Sequence, residues 1–217
     1  MSVNPPLADW VAHIFDHPVT EPAWHWEEDA HHWDDTPASI VELISQTFAR
    51  ADVLLAGFSD AQLNQGVWYL VSNSEHMFSL VDLKVPADRR VAALQSFVPF
   101  FEKVMAQRCS AHLSQLDEPG ANPLNSACYM WWDILPIHGS PEMPERRNFD
   151  TEVLRVFERL LAIGHDACRE SALHGLGHWV PYYPEAAALV DAFLERTPDL
   201  RPELVSYAHR ASIGSIL

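Results

Sequence analysis

Glu170, His174 and His178 recur every four residues in a stretch of helical periodicity, which places all three side chains on one helix face. Two histidines one turn apart can hold a single divalent metal ion, and a carboxylate one turn further can supply a third ligand. The order differs from the H-E-x-x-H of zinc proteases, in which the glutamate sits between the histidines. Ala172, Leu173, Leu176 and Val180 form the opposite, core-facing stripe. Gly175 and Gly177 each cost a helix about 1 kcal/mol relative to alanine, so they answer to a close packing contact. In the plainer reading, the histidines simply hydrogen-bond neighbouring helices.

A second group of metal-ligating types runs from Trp24 to Asp35, with His25, His31 and His32 among Glu27, Glu28, Asp29, Asp34 and Asp35. Such density can capture a divalent ion adventitiously, but the spacing fixes no geometry. It reads better as a solvated acidic arm whose tryptophans anchor inward. A third group is Tyr129-Met130-Trp131-Trp132-Asp133, in which Trp132 is expected in the core and Trp131 on an open face. Exposed Trp and Met are typical of binding hot spots. Cys109, Cys128 and Cys168 show no C-x-x-C spacing, and Cys128 and Cys168 read as small core residues. No P-loop, G-x-G-x-x-G, G-x-S-x-G or H-E-x-x-H occurs.

The elements that must position these groups are helices. Thr36-Pro37 gives an N-cap and a proline in the first turn, after which Ile40, Leu43, Ile44, Phe48 and Leu55 recur at helical spacing. Further helices are predicted from Asp60 to Ser72, from Asp88 past Met105 with a kink at Pro99, and from Asn125 to Leu135. Ile137 to Arg147 reads as a loop. Helices resume at Asp150, Asp166, Pro184 and Leu200, the last running to Ile213. No alternating strand is apparent. Residues 1–36 differ: they hold eight acids, four tryptophans and no Lys or Arg, and Pro5, Pro6, Pro18 and Pro22 interrupt them. They are read as an irregular arm packed on a helical body formed by residues 37–217.

A register of 40 residues aligns Ser126-Ala127-Cys128 with Asp166-Ala167-Cys168 and Ser206-Tyr207-Ala208. It puts Met130 and Trp131 on the same face as Glu170 and His174, and as Arg210. A two-helix unit of that length resembles HEAT or armadillo repeats. The segment Glu170 to His178 resembles uncharacterised bacterial proteins of this kind. The resemblance implies an all-α superhelix of helix pairs that binds a partner on its concave face.

The chain has 217 residues, 48% of them hydrophobic, enough for a sizeable core. Its formal charge of −16 argues against nucleic acid and against an anionic membrane surface. No apolar run is long enough to span a bilayer, and the first ten residues lack the basic and apolar parts of a secretory signal. A cytoplasmic protein with reduced thiols is expected. The reading that results is a non-enzymatic binding protein. It engages a basic protein partner through Met130, Trp131, Glu170, His174, His178 and Arg210. No cofactor is expected in that reading. The alternative is a metal-dependent enzyme or metal-binding protein that holds a divalent ion at Glu170, His174 and His178.

Overall fold

In a computed structural model, residues 5–72 and 74–216 are described, apart from the side chains of Pro5, Ser74 and Glu75. Among these residues there is no strand, and no helix is long and apolar enough to cross a membrane. The longer helices are α1 (Pro5–Phe15), α2 (Pro37–Ala49), α3 (Asp60–Ser72), α4 (Ala87–Gln95), α5 (Leu124–Ile134), α6 (Arg147–Leu161), α7 (Asp166–Trp179), α8 (Glu185–Arg196) and α9 (Pro202–Ser212). They pack in two rows. One runs α1, α3, α5, α7, α9, and the other runs α2, α4, α6, α8. Helix α7 touches α5, α6, α8 and α9, so any group on its face is held from several sides.

Local chemistry explains most boundaries. The Thr36 hydroxyl accepts from the Ser39 amide at 3.3 Å, and Pro37 occupies the first turn, where its missing N–H is no loss. Ile40, Val41, Ile44 and Phe48 then bury one face of α2. Pro99 cannot donate to the ladder, and the chain around it breaks into α4, a short helix Phe97–Phe100 and a π-helical stretch Phe101–Met105. The aromatic rings of Phe97, Phe100 and Phe101 all converge on Trp131.

Two expectations need correction. The irregular arm is irregular only after Phe15, because α1 is a helix whose Leu7, Trp10, Ile14 and Phe15 are buried against α2 and α3. Pro5 and Pro6 lie in its first turn, where proline starts a helix instead of breaking it. Residues 1–4, part of the stretch read as lacking a secretory signal, lie outside the described residues, as does Leu217. The helix expected to open at Asp150 instead begins at Arg147. Asp150 is fully buried and accepts from Arg146 (3.0 Å), the Ser140 amide (2.9 Å) and the Tyr183 hydroxyl (2.8 Å), so it ties the preceding loop to α6.

Candidate metal centre

Asp133 on α5 and His174 and His178 on α7 bring one carboxylate oxygen and two imidazole nitrogens within 4.8 Å of one another. His174 Nε2 and His178 Nε2 are 3.2 Å apart, and His178 Nε2 is 3.1 Å from Asp133 Oδ1. Ligands bound tetrahedrally at 2.0–2.1 Å lie about 3.3 Å from each other, so these separations suit a small divalent ion with little rearrangement. Among the described residues this is the one such convergence of three ligand atoms.

The site is held firmly from below and open above. His174 is buried at 1% exposure, whereas the side chains of His178 and Asp133 are 39% and 38% exposed. His174 Nδ1 lies 2.6 Å from the Tyr207 hydroxyl of α9, which lies 3.2 Å from the Tyr129 hydroxyl of α5. A metal at Nε2 requires the proton on Nδ1, donated to the Tyr207 oxygen, which leaves the Tyr207 hydroxyl free to donate to Tyr129. The Tyr129 ring packs on the His174 ring at 4.5 Å. Burial first, and then the nearby His178, push the His174 pKa down to about 4, against the pull of Asp133. The imidazole is therefore neutral at pH 7, the form that ligates metal.

The glycines of α7 set its closeness to its neighbours. A Cβ on Gly175 would lie 2.3 Å from Phe157 and 2.7 Å from the Trp132 ring, and one on Gly177 would meet Ile216 at 2.8 Å. Gly175 thus lets α7 approach the α5 turn that carries Asp133.

Each residue predicted from sequence has a distinct place. Glu170 shares the helix face of His174 but not its site. It is fully buried, and its carboxylate accepts from the Ser114 amide at 2.8 Å and the Gln115 amide at 3.1 Å. It anchors the loop before α5. Burial pushes its pKa up to about 7, although the two amides pull the other way. Trp131 is fully buried among phenylalanines and faces no groove; Trp132 is buried beside it. Neither Trp131 nor Glu170 offers a surface to a partner. Met130 is half-buried in the wall of a cavity of about 530 Å³ with Tyr129, Asn122 and Glu118. Arg210 is exposed, donates to the Gln115 side chain and lies over the Tyr207 ring at 5.2 Å.

Asp133, Tyr129 and Tyr207 complete the centre, and none was counted among its residues from sequence. The 40-residue register held the signal for one of them: it puts Asp133 opposite Leu173, next to His174.

The other histidine-rich region is arranged differently. His13 of α1 lies edge-on to His31, Trp24 and Tyr69, with its Nε2 at 3.2 Å from the Tyr69 hydroxyl. His17 stacks on Trp24 at 3.8 Å and reaches the His13 carbonyl with Nε2 at 2.7 Å. His76 Nε2 meets the Trp33 carbonyl at 3.0 Å. Here the rings meet by their faces and edges, and several nitrogens are engaged by the protein itself.

No family model matches this chain, and no curated protein or solved structure matches it either.

Proposed function

We propose that the protein binds a divalent transition metal through Asp133, His174 and His178 and uses the open side of that ion. The observation that carries this reading is the meeting of His174 Nε2, His178 Nε2 and an Asp133 oxygen at a solvent-facing point. Two histidines and one carboxylate suit zinc or ferrous iron, and three protein ligands leave a position for water or substrate. Such an ion lowers the pKa of bound water, so metal-assisted hydrolysis is the reaction class the ligand set supports. Tyr207 orients His174, and Tyr129 covers its ring. The ligands sit on packed helices, which favours a fixed geometry.

The two rows of helices, with the 40-residue alignment of Cys128 and Cys168, support reading the body as an α-α superhelix of helix pairs. In that reading the metal lies where α5, α7 and α9, the second helices of successive pairs, adjoin.

Cobalt(II) tests the assignment by its visible spectrum. The wild-type chain is expected to give ligand-field bands at one equivalent, and Asp133→Asn and His174→Ala to lose them while keeping the helical circular dichroism. Unchanged bands in both variants would overturn the reading.

A further inference from the structure

The tryptophans of the acidic arm do not all turn inward. Trp24 and Trp26 bracket a single 3-10 turn, in which the Trp26 amide donates to the Ala23 carbonyl at 2.9 Å and the Glu27 amide to the Trp24 carbonyl at 3.2 Å. About three residues complete such a turn, so side chains two apart point to different sides. Trp24 is buried, stacked on His17 at 3.8 Å and packed on Tyr69 at 4.7 Å. Trp26 is 71% exposed.

The exposed indole walls a cavity of about 670 Å³ between the arm and α3. That volume is typical of small-molecule sites. From α3 come Asn64, Gln65 and Trp68, whose spacing puts them on one helix face, and from the arm come Glu21, His25 and Trp26. The walls are fastened to one another and to the body. Gln65 Nε2 donates to the Pro18 carbonyl at 3.2 Å and Gln62 Nε2 to the His17 carbonyl at 3.1 Å, which ties the arm to α3. Asn64 Oδ1 accepts from the Ser126 hydroxyl at 3.2 Å, which ties α3 to α5.

The chemistry of the walls selects a charge. Two indoles and one carboxylate line the cavity, and no Lys or Arg does. Burial first, and then His17 and His32, hold the His25 pKa below its ordinary value, so His25 adds no positive charge at pH 7. An indole face attracts a cation through its ring quadrupole, more strongly than Tyr or Phe does. An anion would be repelled by Glu21 and by a chain of formal charge −16. A neutral apolar molecule would use the indoles and leave the carboxylate idle. A cation that carries apolar groups uses both.

We propose that this cavity binds a small organic ammonium ion, alkylated at nitrogen, whose head meets Trp26 and Trp68 and whose charge is balanced by Glu21. The ion is a free molecule: the cavity has room for all of it, and the net negative charge of the chain disfavours an anionic membrane surface. Binding here needs no metal at Asp133, His174 and His178.

Choline added to the isotope-labelled chain at fixed ionic strength, with a chelator present, tests this by NMR. The indole N–H signals of Trp26 and Trp68 are expected to shift and saturate. The alcohol in which carbon replaces the ammonium nitrogen of choline is expected to bind more weakly. Trp26→Ala, at an exposed position, is expected to weaken choline binding by about 3–30-fold. Glu21→Gln is expected to weaken it by about 2–5-fold, and His178→Ala to leave it unchanged. No shift of either indole in excess choline would overturn the proposal, as would equal binding of the neutral alcohol or unchanged affinity in Trp26→Ala. Loss of binding in His178→Ala would overturn it too, by placing choline at the metal centre. The comparison of choline with its neutral analogue needs only the wild-type chain and stands if a variant fails to fold.

Discussion

Histidines gather in two places, near the start of the chain and between α5 and α7, and the gatherings differ in what the ring nitrogens meet. Around His13, rings from His17, His31, Trp24, Trp33 and Tyr69 pack against one another within 6.3 Å. Nitrogens there face Tyr69 or backbone carbonyls. At the other place, two nitrogens and a carboxylate oxygen point at one spot open to water, with a tyrosine behind the buried histidine. A local excess of histidine and acid is thus a poor guide to metal binding. Convergence of lone pairs, set by neighbouring helices, is the better one.

The largest expected effect that sharpens this contrast is loss of a ligand. His178→Ala is expected to weaken zinc binding by more than about 100-fold, exceeding what loss of an outer-shell partner does. His31→Ala should leave zinc affinity unchanged in the same titration. Tyr207→Phe removes the acceptor for His174 Nδ1 and is expected to weaken binding by about 10–100-fold, read as a change in zinc Kd.

Gly175→Ala probes the packing that brings the α5 and α7 ligands together. Its Cβ would have to displace the Phe157 and Trp132 rings, at a cost of about 1–3 kcal/mol in urea unfolding. Gly177→Ala would meet Cγ1, Cδ1 and Cγ2 of Ile216, a half-buried side chain near the C-terminus with more room to shift than two buried rings, and should cost less.

The His13 cluster should show itself in acid. Burial, and then His31, His17, His76 and His32, hold His13 down from 6.5 to about 4. Between those values the unfolded chain takes up a proton that the folded chain excludes. Stability therefore falls as pH drops through that window, and the loss is complete below about 4. His13→Gln is expected to flatten the slope of unfolding free energy there. Glu170 works the opposite way. Its carboxyl is raised from 4.5 to about 7, so its contribution is present below 4.5 and is lost as pH rises to about 7. Glu170→Gln should remove that component and leave the His13 slope.

Much of the helical pattern was legible because periodicity is local. Ile40, Leu43, Ile44 and Phe48 face the core as their spacing requires, and Thr36-Pro37 marks the start of α2. The site was legible only in part. His174 and His178 sit on one face by helix geometry alone. Asp133 joins them through the packing of α5 on α7, which no spacing within α7 encodes. Glu170 has the right face and the wrong neighbour, because the Ser114–Leu116 turn covers it with two amides. Trp131 and Trp132 are both buried, since Phe48, Phe97, Phe100 and Phe101 surround the first and Phe157 meets the second.

The central claim is tested most directly by calorimetric titration of zinc into the metal-free chain, comparing wild type, His178→Ala and the double variant His25→Ala/His31→Ala. The account predicts one ion per chain for the wild type and the double variant, and no binding of comparable strength in His178→Ala. Equal binding by His178→Ala, or its loss in the double variant, would contradict it.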